Sequence, residues 1–347
     1  MIDLLIAGGG PAGLAAAIRA AEAGLEAVVV EPRPAPVDKA CGEGIMPGGL
    51  AALHALGVHP AGHPLRGIRY TDGLRTAQAP FRGAYGLGVR RTALHTALHE
   101  RAEALGVRIA EGKVREVRQN GHTVTAGGLT AGGLTAGGLT ARWLIAADGL
   151  HSPLRRALGL DHPVPGPGRY GLRRHYRTAP WSDLVEVHWS PHAEAYVTPV
   201  DEHLVGVAVL SRDRRPYADH LAAFPALAAR LTGPGTTPVR GAGPLRQRSR
   251  APRAGRVLLV GDAAGYTDAL TGEGIALAVA TASAAVGCLA AGRPEEYPAR
   301  WRRATRRYRL LTHALLGAAG HPATRPLIVG AAHHAPALFR AAVRALQ

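Results

Sequence analysis

Cysteine is nearly missing from this chain: only Cys41 and Cys288 occur, too few for a disulfide framework. Lysine is nearly missing too. Of 41 basic residues only Lys39 and Lys113 are lysine, and such lopsided use of arginine reflects genome composition more than a nucleic-acid footprint. No run of about 18 apolar residues occurs, so no membrane-spanning helix is expected. The N-terminus runs straight into an apolar segment without a basic leader or a cleavage site, so a cytoplasmic protein is expected. No metal-ligand pattern stands out. His95 and His99 lie four apart in HTALHE, which offers no third ligand, so an exposed helix face and no metal are expected.

The 347 residues carry a net charge of +16 and are 47% hydrophobic, enough for one large or two moderate cores. Arginine clusters at 169–177, 246–256 and 300–309 come without a nucleic-acid motif, so no nucleic-acid partner is expected. A basic surface favours acidic substrates, the phosphate of NADPH, or peripheral contact with an anionic membrane. No obligate protein partner is evident.

The segment Asp3 to Glu31 organises the chain. Leu4-Leu5-Ile6-Ala7 reads as a strand. Gly8-Gly9-Gly10-Pro11-Ala12-Gly13 follows with G-x-G-x-x-G spacing, then an Ala-rich helix, a second apolar strand and Glu31. Each part suits a dinucleotide. Gly8 permits the tight turn, Gly10 lets a pyrophosphate approach, Gly13 lets helix pack on strand, and Glu31 can accept from ribose hydroxyls. The helix N-terminus offers free N–H groups and partial positive charge. Alone, the segment leaves FAD and NAD equally open.

Beyond the proline-rich residues 32–36 a compact loop carries Cys41-Gly42-Glu43-Gly44, and Gly48 to Leu56 reads as helical. Cys41 is a nucleophile, a redox thiol or a small buried residue. Residues 65–80 read as β. Arg91 opens a helix whose Leu94 and Leu98 share a core face. Val107 to Ala110 and Lys113 to Arg118 read as strands, which puts Val114 beside an adenosine. Residues 126–141 hold three copies of Ala-Gly-Gly-Leu-Thr, expected to be an expanded and mobile hairpin turn. A strand then ends in Asp148-Gly149. From Tyr170 to Leu210 the apolar period becomes 2, the mark of an antiparallel sheet with one wet face. A buried strand, Val257 to Val260, leads through Gly261-Asp262 to a loop holding Gly272, Glu273 and Gly274 and on to an Ala-rich helix starting near Ile275. The last 50 residues read as basic, apolar helices. The arginines at 300–309 do not share one face, so a solvated helix is expected there.

Four of these segments, in this order, resemble the p-hydroxybenzoate-hydroxylase-like FAD oxidoreductases. GGGPAG with Glu31 is similar to their site for the ADP half of FAD, Arg91 to their FAD-contacting arginine, Asp148-Gly149 to a motif serving FAD and NAD(P)H, and Gly261-Asp262 to the motif whose Asp meets the ribityl chain. The resemblance implies an α/β fold: a Rossmann-type FAD-binding domain with an inserted antiparallel-sheet substrate domain. The expected FAD-binding domain is discontinuous (1–70, 88–160 and 250–292), the substrate domain covers 71–87 and 161–249, and C-terminal helices cover 293–347. Expected cofactor contacts are Gly8, Gly10, Pro11, Ala12, Gly13, Glu31, Arg33, Arg91, Val114, Asp148, Gly149, Gly261, Asp262, Gly272, Glu273, Gly274 and Ile275. Cys41 and Glu43 are the catalytic candidates. His175, Tyr176, His188, Trp189 and Tyr196 are the residues expected around a hydrophobic small-molecule substrate.

The resemblance implies a flavin reduced by NAD(P)H. The first expectation is a monooxygenase acting on an aromatic or polyketide-type molecule. Cys41-Gly42-Glu43-Gly44 and Leu270-Thr271-Gly272-Glu273-Gly274-Ile275 resemble the geranylgeranyl-reductase-like branch, which makes an ene-reductase acting on isoprenoid double bonds the alternative. That branch's Tyr-x-Trp-x-Phe-Pro pattern is only Tyr196-Val197-Thr198-Pro199 here. A non-catalytic flavin or lipid-binding protein is the third reading.

Overall fold

The computed structural model describes residues 1–127 and 138–345. Most of the Ala-Gly-Gly-Leu-Thr repeat, and with it the expected mobile turn, lies outside the described residues. The helices are α1 (Pro11–Glu22), α2 (Pro47–His54), α3 (Arg91–Ala104), α4 (Pro153–Ala157), α5 (Tyr217–Ala222), α6 (Pro225–Ala228), α7 (Gly274–Ala290), α8 (Tyr297–Gly320), α9 (Leu327–His334) and α10 (Pro336–Arg344).

The first sheet runs, edge to edge, 253–254, 257–259, 139–146, 2–7, 27–31 and 108–111, and its central pairings are parallel. Its strands are apolar at consecutive positions because both faces are covered. Leu4, Ile6 and Val29 face α1, α3 and α7. Leu5, Val28 and Leu144 face the opposite layer, with Leu154 and Leu259. Alanines on α1 and α7 bring the two helices close in the first layer, with Ala16, Ala20, Ala282 and Ala285 fully buried. Parallel pairing places all the motif-bearing strand ends on one edge. Ala7 pairs with Ala146 and Ala146 with Leu259, so Gly8, Ala147-Asp148 and Val260-Gly261 emerge side by side.

The second sheet has the order 240–242, 170–176, 204–211, 193–201, 184–189, 67–71, 76–80. Its pairings are antiparallel except that 184–189 runs parallel to 67–71. Two expectations are corrected here. Residues 67–70 belong to this sheet rather than to the dinucleotide-binding part, because Ile68 pairs with Val185 and Ala79. The sheet also has no wet face over its central strands. Val197, Val207 and Val209 pack beneath α5 and α6 with Tyr217 and Phe224, while Val185, Val187 and Leu210 pack with Val329, Phe339 and Val343 of the C-terminal helices. Period 2 marks two faces, and distant chain covered the one expected to face water.

Candidate functional site

A cavity of about 1240 Å³ lies between the parallel sheet's motif edge, the second sheet and helices α8–α10. Its polar end is walled by Gly10, Pro11, Ala12, Lys39, Arg91, Asp148 and Asp262. A smaller cavity of about 160 Å³ lies against Gly9, Glu31, Arg33, His95 and Glu111.

The glycine turn has the geometry that the sequence implies. Gly8 has φ +107°, and a Cβ at Gly13 would overlap the Gly8 carbonyl oxygen. A Cβ at Gly10, by contrast, would meet nothing within 4 Å although Gly10 walls the large cavity. The backbone there lies open to a ligand. Gly10 precedes α1 without a side-chain cap, and α1 has no acid in its first turn. The same holds for α7, whose Gly274 and Ile275 also face the cavity. Two uncapped helix N-termini thus present free N–H groups and partial positive charge to one space.

Charge reinforces this. Arg91 is buried, its Nη1 has no hydrogen-bond partner, and burial pulls its pKa down. Burial pushes the Asp262 carboxyl up, against the attraction of Lys39, Arg91 and Arg155. A buried cation with an unmet donor, an open glycine backbone and two uncapped helix ends fit the phosphates and polar edge of FAD.

At the smaller cavity Glu31 Oε2 accepts from Gly9 N–H at 2.8 Å and Oε1 accepts from Arg33 Nε at 2.7 Å. His95 corrects the expectation of an exposed helix face, for it is fully buried. Burial pulls its pKa down to about 4. Neutral His95 therefore donates from Nε2 to the Gly9 carbonyl at 3.0 Å, which leaves Nδ1 as an unpartnered acceptor. His99 stacks on it and walls the same cavity. Sequence reasoning missed His95 because its partner is a backbone carbonyl 86 residues away. Val114, expected beside an adenosine, is buried in the layer beneath the parallel sheet and walls neither cavity.

Asp148 and Arg155 serve the protein's own framework. Ser152 caps α4 by accepting from Arg155 N–H, and Asp148 supports that turn by accepting from Ser152 Oγ–H and Leu154 N–H. Arg155 donates to Asp161, to the carbonyls of Ala263 and Leu150, and to Gln247. It therefore bolts the Asp-Gly segment to the Gly-Asp segment. Gly149, at φ +86°, walls the large cavity, and so do Gly261 and Gly272. Glu273 stands at the N-terminus of α7 but does not wall that cavity, its Oε2 is unpartnered, and burial raises its pKa to about 7.

Cys41 and Glu43 both wall the large cavity. Burial, and then the Glu43 charge, push the Cys41 thiol up, which keeps it protonated. Glu43 is the one non-glycine described residue with positive φ, +60°. It is held there by Arg91 N–H at 2.8 Å and by His175 Nε2 at 2.6 Å. His175 leans on Arg173 and Thr237, and Arg173 on Asp38. The burial that would raise the Asp38 carboxyl is outweighed by Arg173 and Arg240, which hold it low.

Of the five residues expected around a substrate, only Tyr196 walls the cavity, its hydroxyl donating to the Leu270 carbonyl. His175 acts behind Glu43. Tyr176 points to the opposite face, under Tyr217 and Phe224. His188 pairs with Glu186 at 3.2 Å. Trp189 packs between Tyr70 and Arg325. The walls come instead from Ile68, Tyr70, Val185, Val187 and Leu210, together with Leu315, Ile328 and Phe339 of the C-terminal helices.

A family model described as the FAD binding domain matches residues 1–296, and the chain belongs to this family of FAD-dependent oxidoreductases. Among its relatives is a menaquinone reductase of Mycobacterium tuberculosis, 33% identical over 306 residues, covering 79% of this chain and 72% of that protein. Among solved structures, a flavoprotein/dehydrogenase from Cytophaga hutchinsonii superposes with a TM-score of 0.81 at 19% identity, covering 99% of this chain and 92% of that one. A geranylgeranyl bacteriochlorophyll reductase-like protein from Thermoplasma acidophilum gives 0.74 at 22% identity, covering 90% and 86%. Both structural likenesses speak to the fold, a Rossmann-type flavoprotein with a substrate-binding sheet. No helix among the described residues is long and apolar enough to cross a membrane.

Proposed function

We propose that this oxidoreductase is an ene-reductase, which adds hydrogen across a carbon–carbon double bond of a hydrophobic, isoprenoid-type molecule. The observation that carries the reading is the apolar continuation of the large cavity. From the Cys41 loop it runs on between Val185, Val187, Leu315, Ile328, Leu338 and Phe339, a lining suited to a hydrocarbon chain. The 33%-identical relative is a menaquinone reductase, and a structural neighbour is geranylgeranyl-reductase-like. Both names are those of reductases rather than hydroxylases.

FAD, when bound, supplies two-electron hydride chemistry, with NAD(P)H as the reductant in this reading. The chain's own residues do the rest. Arg91, Lys39 and the N-termini of α1 and α7 hold negative charge. The apolar wall excludes water. The alkene must gain a proton as well as a hydride, and the Cys41 thiol is the group placed to give it. Tyr70, Tyr196 and Tyr266 also wall the cavity, and burial raises each hydroxyl above its ordinary value, which makes each a poorer proton donor. Glu43, fixed by His175 and Arg91, holds the loop that carries Cys41.

The test is anaerobic turnover of a short prenyl substrate with a chemical reductant, read by mass spectrometry. A product heavier by two hydrogens supports the proposal. Strict dependence on oxygen, with one oxygen atom gained, overturns it in favour of the monooxygenase expected first from the sequence.

A further inference from the structure

The segment 297–347 carries nine arginines and no aspartate or glutamate. Two of these cations are neutralised locally, Arg300 by Glu296 and Arg325 by Glu194. Arg302, Arg303, Arg306, Arg307, Arg309 and Arg344 are exposed. The same segment holds three of the chain's exposed large apolar side chains: Leu310 at 62%, Leu327 at 60% and Leu338 at 70%.

Leu338 borders the large cavity, and helical spacing sets Leu310 and Leu327 beside exposed residues of its wall. Leu338 itself walls it, as do Ala314, Ala331 and Ala342, each of them exposed. Leu310 lies one turn before Ala314 on α8, and Leu327 one turn before Ala331 on α9, so each stands on the stripe that faces the opening. Arg306 and Arg307 lie one turn before Leu310 and Leu311. Arg307 donates to the Arg344 carbonyl, which joins the basic end of α8 to the end of α10. An apolar lip continuous with an apolar cavity, edged by guanidinium groups that make no salt bridge among the described residues, matches the layering of an anionic bilayer: hydrocarbon behind negative headgroups.

We infer that helices α8, α9 and α10 form a docking face for an anionic membrane surface, with the gap between α8 and α9–α10 as the portal through which a lipid substrate passes. The identity of the lipid rests on the ene-reductase reading; the docking does not.

The test is flotation of the FAD-loaded full chain with vesicles of phosphatidylcholine alone or mixed with phosphatidylglycerol. The chain floats with the mixed vesicles, less so as salt rises. The double variant L310E/L327E, which leaves every cavity-wall residue in place, loses at least tenfold in apparent vesicle affinity while keeping its FAD content and melting midpoint. Should that variant lose FAD, L310Q/L327Q serves as the same arm. A wild type that stays in solution with both vesicle types overturns the inference, and does so in favour of an acidic protein partner if polyglutamate retains it. Flotation unchanged by the leucine variants overturns the portal and leaves only adsorption through arginine. A chain that floats but saturates no alkene overturns the reductase reading and leaves the docking standing. A chain that saturates a water-soluble alkene yet never floats does the reverse.

Discussion

The two ends of the large cavity are built differently. The glycine end is made of backbone: the turn at Gly8 to Gly13, two helix N-termini, and strand ends brought level by parallel pairing. The far end is made of side chains: apolar residues of α8–α10 against a sheet, pinned by a buried charge knot. In that knot Glu194 meets Arg325 at 2.6 Å and Arg169 at 2.7 Å, and Arg169 meets Asp268 at 3.1 Å. A backbone-built site tolerates almost no change of residue at its few close contacts. A side-chain-built wall can be repacked while its volume is kept. A family of enzymes can thus keep one cofactor and alter what it acts on.

The sharpest way to break this contrast is at Gly13. Gly13→Val puts a side chain into the Gly8 carbonyl and is expected to abolish FAD retention altogether, read from the absorbance of the purified protein. Asp262→Ala is expected to give a flavin-free protein as well, and a variant that purifies yellow with stoichiometric flavin would contradict the assignment.

At the far end, Glu194→Ala removes the fully buried carboxylate that Arg169 and Arg325 share, leaving Arg325 without an acid and Arg169 with Asp268 alone. The expected loss is about 3–5 kcal/mol of stability in denaturant titration. FAD affinity should change little, and a large loss of it would mean that the two ends are not separable.

Between the ends, Cys41→Ser is expected to lower kcat about 100-fold, as removal of a general acid does, with KM and FAD content kept. An unchanged kcat would move the proton source elsewhere on the wall.

The smallest effect concerns Glu273. Its folded pKa is raised from 4.5 to about 7, so folding favours the protonated carboxyl. Its contribution to stability is therefore complete below about pH 4.5 and is lost as pH rises through about 7. Solvent screening reduces the loss to roughly 1–2 kcal/mol. Glu273→Gln should flatten this part of the stability–pH curve of the flavin-free protein, and an unaltered curve would assign it to another group.

The spacing Gly8-x-Gly10-x-x-Gly13 and the acid Glu31 were legible because each follows from local backbone needs within 30 residues. Period 2 between Tyr170 and Leu210 likewise declared a sheet. It did not declare which face meets the cavity, so Tyr176 and His188 fall on the opposite side from Val187, while Trp189 shares the face of Val187 but packs beyond the cavity between Tyr70 and Arg325. The role of Arg155 was not legible at all, because its partners, the Ala263 carbonyl and Gln247, lie about a hundred residues away.

By itself the sequence determined the class of cofactor and the kind of fold, because glycine geometry and apolar periodicity act over short stretches of chain. Only the tertiary structure decided that Glu43 is clamped by His175, that His95 reaches the Gly9 carbonyl, and that the basic C-terminal helices wall a hydrocarbon-lined cavity. Those pairings join residues 86 to more than 130 positions apart, and strand register and helix packing, not local pattern, bring such residues together.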